Sequence, residues 1–236
     1  MFNQQNTAKL EKYLGVKNTP GEHEIRLLEK VAKYNALFQK IPGILCICVC
    51  NSLAMNACHK GSDIDLFVIT KPHRLWTARI FLTLALSILG QRKTSKKHAE
   101  KLCLSFFISE ENLSLENIAI ENDIYLSYWV QTLKPVLNRR RVFERFMEVN
   151  SPLSGILSPL EEKGATICSL ISPPREKIVG GFLGNLLESL LKAIFLPRTK
   201  KSFQKLGKPF GVEITDTMLK FHDKDRRKEI RNFILK

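Results

Sequence analysis

Two aspartates lie one residue apart inside the apolar run DIDLFVIT of this 236-residue chain. An unpaired charge is costly to bury, so Asp63 and Asp65 need a partner in such a run. The run predicts a β-strand over 63–70, and on a strand residues two apart project from the same face. Two neighbouring carboxylates repel each other unless a cation lies between them, and Mg²⁺ or Mn²⁺ prefers oxygen ligands. The spacing therefore predicts a metal site with Asp63 and Asp65 as ligands.

A polar turn precedes the two aspartates. Ser52 follows almost directly after a second apolar run, ILCICVC at 44–50, which predicts another buried strand. The residues after it favour a short helix, and free backbone N–H groups at such a turn attract phosphate. A phosphate-binding turn and two carboxylates on neighbouring strands are the components of phosphoryl or nucleotidyl transfer. A turn-capping role would explain Asp63, which follows a Gly-Ser pair, but not Asp65 between two apolar residues.

A strand is followed by a turn with Ser52, by ten further residues and then by Asp63-x-Asp65. This order resembles the DNA polymerase beta-like nucleotidyltransferase superfamily, and most closely its minimal bacterial members. The motif covers residues 44–70, and a looser likeness extends over most of the chain. The resemblance implies that Asp63 and Asp65 are catalytic residues that bind Mg²⁺ or Mn²⁺. It implies that Ser52, with backbone help from Leu53, holds the triphosphate of an NTP. A nucleoside monophosphate would pass to a hydroxyl acceptor (a small molecule, a protein or an RNA) with release of pyrophosphate, mostly through positioning and charge neutralisation.

Two features depart from the superfamily pattern. Asn51 stands where Gly is usual; Asn tolerates left-handed backbone better than most residues, and its side chain could contact the substrate or cap the short helix. A third carboxylate, which often serves the attacking hydroxyl, is not found on the matching strand KLCLSFFIS, whose interior polar residue is Ser105. Glu110 and Glu111 lie past the end of that strand, and Asp123 lies at a predicted helix start, where capping explains it. Loss of the third acid would leave a slower enzyme or a nucleotide-binding remnant.

The elements that must position these residues alternate between helix and strand in the first half of the chain. Helical spacing predicts helices over 22–40 and 74–90, and a third strand at 101–108 follows a basic loop. The second half predicts mainly helices, with PFGVEIT as a short extended segment; the expected helices are at 120–135, 138–150, 176–196 and from Thr215 onward. We therefore expect an α/β (α+β) fold, a nucleotidyltransferase-like mixed sheet with flanking helices followed by a mainly helical C-terminal extension. The expected units are a core at 1–115 and an extension at 116–236, with a soft boundary that allows one body.

The chain is strongly basic, with 37 Lys and Arg against 23 Asp and Glu, a net charge of +14 and a pI near 9.6. The surplus is concentrated at 91–101 and 198–236. It favours polyanionic partners such as nucleic acid or nucleotide phosphates, and a solvated surface is an equal alternative. The surplus also motivates a rival function, a catalytically weakened protein of the same fold that binds RNA or a protein partner through its basic surface.

The cysteines and the apolar segments predict a cytoplasmic protein without a transmembrane segment. The three cysteines of ILCICVC would share one strand face as small buried residues; a metal site that adds Cys58 and His59 matches no zinc spacing. The N-terminal sequence is too polar for a signal peptide, and free cysteines suit a reducing cytosol. The most apolar segment, 74–90, falls short of the roughly 20 residues of a bilayer span. Helix 176–196 and the basic residues after it could contact an anionic membrane surface.

Overall fold

A six-stranded mixed β-sheet with helices on both faces organises the protein. The computed structural model describes residues 4–154, 181–207 and 209–236. The strands are β1 (Ile44–Cys50), β2 (Ile64–Thr70), β3 (Leu102–Ser109), β4 (Lys134–Asn138), β5 (Val212–Ile214) and β6 (Met218–Phe221). The predicted mixed α/β fold is therefore confirmed.

Ten α-helices and one short 3₁₀ turn accompany these strands in the described residues. The turn is at Glu116–Ile118. The helices are α1 (Gln4–Leu14), α2 (Glu22–Lys33), α3 (Asn35–Phe38), α4 (Asn51–Ala54), α5 (Leu75–Ile88), α6 (Ile124–Thr132), α7 (Val142–Val149), α8 (Ser151–Ser154), α9 (Phe182–Lys205) and α10 (Arg227–Ile234). The long α9 is the helical region of the C-terminal half. No helix of the described ranges combines the length and the apolar character that a membrane crossing requires.

The strand order, β4-β1-β2-β3-β6-β5, brings the ends of three strands to one edge. Strand β2 runs antiparallel to β1 and parallel to β3, so the end of β1 meets the starts of both β2 and β3. In this register Asp65 pairs with Cys50 on one side and with Cys103 on the other. The turn that carries Asn51 and Ser52 therefore begins beside the aspartate pair.

The central strands are apolar on both faces because each face is covered by helices. On β2, Phe67 and Ile69 belong to one core cluster, whereas Leu66 and Val68 belong to the other. The first cluster also receives side chains of α6, α7 and α10, and the second receives side chains of α2, α5 and α9. Alternation places Asp65 on the same side as Phe67, where the covering helices leave its carboxylate half-buried.

Two segments of the second half form strands where the sequence predicted helices. The predicted helices at 120–135 and 138–150 both overlap β4. Helix α6 in fact ends at Thr132, and residues 134–138 pair with β1. The expected terminal helix from Thr215 is also wrong, because β6 pairs with β3 and α10 begins only at Arg227. In both cases a short segment completes the sheet next to a central strand, so tertiary pairing overrides the local pattern.

Three strands of the second half thus join the sheet of the first half, while the boundary near residue 115 stays a prediction. Helix α9 extends the expected 176–196 helix through Pro197 to Lys205. The start of that predicted helix, residues 176–180, lies outside the described residues.

Candidate functional site

Three side chains with metal-binding atoms meet at the shared edge of β1, β2 and β3. A carboxylate oxygen of Asp63, a carboxylate oxygen of Asp65 and the Sγ atom of Cys103 all lie within 4.8 Å of one another. Asp63 and Asp65 meet because alternate residues share a face, and Cys103 joins them because it pairs with Asp65 across the parallel strands. This cluster could hold a metal ion.

A hydrogen-bonded chain of side chains fixes the orientation of Asp65. The indole Nε1 of Trp129 donates to Oδ1 of Asn51 at 2.9 Å, and Nδ2 of Asn51 donates to Oδ2 of Asp65 at 2.9 Å. The indole can only donate, so the amide oxygen of Asn51 must face Trp129 and its NH₂ group must face Asp65. Trp129 is buried, and its bond to Asn51 thereby helps to orient Asp65.

Asn51 adopts the backbone conformation for which glycine is the usual choice. Its φ is 56°, in the left-handed region that few residues other than Gly, Asn and Asp enter readily. The turn therefore forms with Asn, while the side chain is engaged with Asp65 and Trp129. A substrate contact of Asn51 stays a prediction.

Ser52 and Leu53 lie in α4, which begins directly after Cys50, the residue of β1 that pairs with Asp65. The Sγ atom of Cys58 lies 3.7 Å from Oγ of Ser52, and the Leu53 side chain is fully buried in the core. Sheet register thus brings the Ser52 turn and the aspartate pair to one edge. Triphosphate binding by Ser52 and the Leu53 backbone stays a prediction.

Lys93, from the basic loop before β3, adds a positive charge to the cluster. Its Nζ lies 2.6 Å from Oδ2 of Asp63. Burial is the largest single influence and lowers the pKa of Lys93, but the hydrogen bond with Asp63 and the neighbouring acidic groups together outweigh it, so the net direction is upward. Lys93 therefore stays protonated and neutralises part of the acidic charge.

Burial and mutual repulsion raise the pKa values of the two other residues of the cluster, Asp65 and Cys103. Burial and the charge of Asp63 raise the pKa of Asp65, and the hydrogen bond from Asn51 opposes that rise. Burial and the charge of Asp65 raise the pKa of the Cys103 thiol, which is neutral at pH 7. A cation that binds here would relieve both effects, because it favours the deprotonated form of each ligand.

No third carboxylate joins the aspartate pair among residues 4–154, 181–207 and 209–236. Ser105 lies nearby, with Oγ 3.5 Å from Oδ1 of Asp65 and 3.5 Å from Nε2 of His222. Glu110 forms an ion pair with Arg145 instead.

Two further acids at the ends of neighbouring elements are also engaged elsewhere. Glu111 accepts from the hydroxyl of Ser109. Asp123 caps α6 by accepting from the backbone of Leu126, as the sequence predicts, and it also pairs with Arg227.

Sequence reasoning missed Cys103, Lys93 and His222. Cys103 lies two residues before Ser105, on the same predicted strand, so the alternation of side chains could have indicated it. Its pairing with Asp65 depends on the register of two parallel strands, which the sequence does not specify. Lys93 reaches the site from a loop, and His222 reaches it from the residue directly after the distant strand β6. No local pattern connects either of them with the site.

The donor set fits a divalent cation without fixing its identity. Two carboxylates suit Mg²⁺ and Mn²⁺, whereas a thiolate ligand suits softer metals such as Zn²⁺. The three cysteines of β1 lie in the core: Cys46, Cys48 and Cys50 are buried and free.

Comparisons of the chain with models of known protein families, with curated proteins and with solved structures found no match.

Proposed function

We propose that the protein is a metal-dependent nucleotidyltransferase that moves a nucleoside monophosphate from an NTP to a hydroxyl group. One observation carries the proposal: the aspartate pair lies at the same sheet edge as the Ser52 turn, with Asp65 paired to the last residue of β1. Two carboxylates that could hold a metal ion and a turn that could bind phosphate are thus neighbours, as this chemistry needs.

Each residue has a defined task in this proposal. Asp63 and Asp65 would hold Mg²⁺ or Mn²⁺, which neutralises the charge of the triphosphate. Ser52 and the backbone of Leu53 would hold the phosphates, and Asn51 keeps the Asp65 carboxylate in place through its bond of 2.9 Å. The acceptor oxygen bonds to the α-phosphorus while the bond to the bridging oxygen breaks, and pyrophosphate leaves with that electron pair.

A second candidate function is a weakened relative of the same chemistry that binds RNA or a protein partner through its basic surface. The contact of 2.6 Å between Lys93 and Asp63 favours it, because a lysine already compensates one of the acids. The thiol of Cys103 beside Asp65 favours it as well, since a thiol is a poor substitute for a third carboxylate towards Mg²⁺.

The two functions separate in a turnover and binding experiment with the double variant Asp63→Asn/Asp65→Asn. Radiolabelled NTP is incubated with Mg²⁺ or Mn²⁺ and candidate acceptors, and metal–NTP affinity is measured by calorimetry. We expect turnover by the wild type and a loss of affinity of at least about 100-fold in the variant, a scale that supporting groups of metal ligands already reach.

The matched control is Glu29→Gln/Asp216→Asn, which removes the same charge from two exposed acids, one in α2 and one between β5 and β6. This control should retain turnover and affinity. Equal metal–NTP binding by the wild type and the site variant would refute the assignment of Asp63 and Asp65.

The rival function has its own readout in the salt dependence of RNA affinity. For single strands, the logarithm of affinity falls with the logarithm of salt concentration with a slope of about −0.7 for each phosphate neutralised. A steep slope that the site variant leaves unchanged, together with no turnover, would favour the binding protein.

A cytoplasmic location remains a prediction from the sequence.

A further inference from the structure

A cavity of about 240 Å³ opens beside the candidate metal site, between α6 and α10. Apolar and aromatic side chains form most of its wall, including Phe106, Leu126, Trp129 and Ile230. Its volume is below the range of about 300–1,000 Å³ that is common for drug-sized ligands. The cavity therefore suits a small molecule with one or two rings.

Two contacts connect the cavity with the aspartate pair. Asn51 lines the cavity and donates its hydrogen bond of 2.9 Å to Asp65. His222 also lines the cavity, and the Ser105 hydroxyl lies 3.5 Å from both His222 Nε2 and Asp65 Oδ1. A ligand in the cavity is thus one side chain away from the carboxylate that would hold the metal.

The aromatic wall favours a planar ligand. The ring centroids of Phe106 and Trp129 are 5.6 Å apart, and the His222 ring meets the Phe106 ring edge-on with centroids 6.2 Å apart. Aromatic rings attract other rings in stacked or edge-to-face arrangements, beyond the gain from apolar burial. A flat aromatic ligand would therefore find suitable partners on this wall.

His222 is one of the polar residues of the cavity lining. Its Nδ1 is buried and has no hydrogen-bond partner among the described residues. Burial and the charge of Lys220 lower the pKa of His222 to about 4, so the ring is neutral at pH 7. A neutral imidazole nitrogen can exchange a hydrogen bond with a hydroxyl group, whereas a pKa of about 4 makes His222 a weak base.

The charges around the cavity argue against a polyanionic ligand. Lys220 pairs with Asp225 at 3.2 Å, and Arg227 pairs with both Asp225 and Asp123. The two buried cations are thus balanced by two buried acids. Of the exposed cations in the lining, Arg226 pairs with Glu229 at 2.7 Å, and Lys224 adds one positive charge. A neutral or singly charged molecule matches this balance better than a nucleic-acid backbone does.

We propose that this cavity binds a small planar aromatic molecule with a hydroxyl group, and that this molecule is the acceptor of the nucleotidyl group. The acceptor assignment rests on the proposed function, whereas aromatic binding does not. The bound hydroxyl contacts His222 and lies near Asp65. Its oxygen forms the new bond to the α-phosphorus, pyrophosphate leaves with the electrons of the broken bond, and the hydroxyl proton passes to water.

The first test measures binding of phenol, 4-hydroxybenzoate and toluene to the full chain by saturation-transfer NMR, without metal or nucleotide. Leu14→Trp fills the cavity from its lining, where Leu14 is only partly buried. The matched control is Leu206→Trp, at an exposed leucine just after α9. We expect phenol and 4-hydroxybenzoate to bind about ten-fold more weakly to Leu14→Trp, a loss of about 1.4 kcal/mol in binding free energy. Their affinity for the control should equal that for the wild type.

A second variant, His222→Phe, keeps an aromatic ring beside Phe106 and removes the free nitrogen. In the wild type phenol should bind about two- to ten-fold better than toluene, the effect of one hydrogen bond. That preference should disappear in His222→Phe. Absence of phenol binding to the wild type, or equal binding by wild type and Leu14→Trp, overturns the proposal.

The last arm separates the acceptor assignment from the proposed function. Asp63→Asn/Asp65→Asn should bind phenol as the wild type does, because the carboxylates do not line the cavity. Mass spectrometry should detect nucleotidylated 4-hydroxybenzoate with the wild type alone. Displacement of phenol by an NTP would overturn the acceptor assignment in favour of a nucleobase site, and turnover with other acceptors only would overturn it while leaving the proposed function intact.

Discussion

Replacing Asn51 with Asp tests the hydrogen-bonded chain that orients Asp65. The change is nearly isosteric, and the indole of Trp129 can still donate to one oxygen of the new carboxylate. The other oxygen takes the place of Nδ2, which lies 2.9 Å from Asp65 Oδ2. Two carboxylate oxygens at hydrogen-bond distance cannot both stay charged at low cost, so the pair shares one proton.

The cost of this shared proton has an upper bound. Protonating one carboxyl with an unfolded-state pKa of about 3.9 costs about 4 kcal/mol at pH 7 and about 1.5 kcal/mol at pH 5, since each unit is 1.36 kcal/mol. We therefore expect Asn51→Asp to lower the free energy of unfolding by about 2–4 kcal/mol at pH 7 and by less than about 2 kcal/mol at pH 5.

The direction of the pH dependence follows from proton counting. The folded variant holds a proton that the unfolded chain releases above a pH of about 4. Its free energy of unfolding, relative to that of the wild type, therefore falls as the pH rises from that point towards the raised folded-state pKa. Excess Mg²⁺ or Mn²⁺ should reverse the loss at pH 7, because the variant gains a third oxygen ligand beside Asp65 and a ligand of the folded state stabilises it.

The assay is urea denaturation followed by circular dichroism at both pH values, with and without metal. Asn56→Asp is the matched control: Asn56 is buried and has a left-handed φ of 53°, close to that of Asn51, but its Oδ1 accepts from Lys134 Nζ at 2.9 Å. This control should not be destabilised, since its new charge faces a lysine. Equal stability of the two variants at pH 7, or a pH-independent difference, would refute the contact between Asn51 and Asp65.

Three other substitutions test separate parts of the structure. Cys103→Ser should weaken Zn²⁺ binding by about ten-fold or more and change Mg²⁺ binding little, because only the softer metal gains from the sulfur; competition with a chromogenic chelator measures both affinities. Glu188→Ala should lower the free energy of unfolding by about 3 kcal/mol, because its carboxylate accepts from two backbone N–H groups at the start of α5. Arg227→Leu should lower it by about 3–5 kcal/mol, because Asp123 then lies buried without its ion pair.

Each of these predictions has a defined contrary result. Equal loss of Zn²⁺ and Mg²⁺ affinity in Cys103→Ser would exclude Cys103 as a selective ligand. An unfolding midpoint of Glu188→Ala that matches that of Ser189→Ala, an exposed change on the same helix, would exclude the cap. Equal unfolding midpoints of Arg227→Leu and Lys228→Leu, a change at the neighbouring exposed position, would exclude the ion pair with Asp123 as a source of stability.

Local patterns predicted the elements that are long, apolar and close in sequence. The strands at 44–50 and 64–70 and the helix at 75–88 agree with the structure within one or two residues. The two strands are continuous apolar runs because each is buried on both faces. The strands at 134–138 and 218–221 were missed, because short segments are recruited to the sheet by pairing with distant strands.

The sequence by itself determined the pair Asp63 and Asp65 and its proximity to the Ser52 turn. Their spacing on one strand and the short connection after β1 leave little freedom for other arrangements. Only the tertiary structure decided that the sulfur of Cys103 joins the pair as a third atom that could bind a metal, and that a lysine faces Asp63. Those contacts depend on strand register and on loop path, which are set by the packing of the whole sheet rather than by any local run of residues.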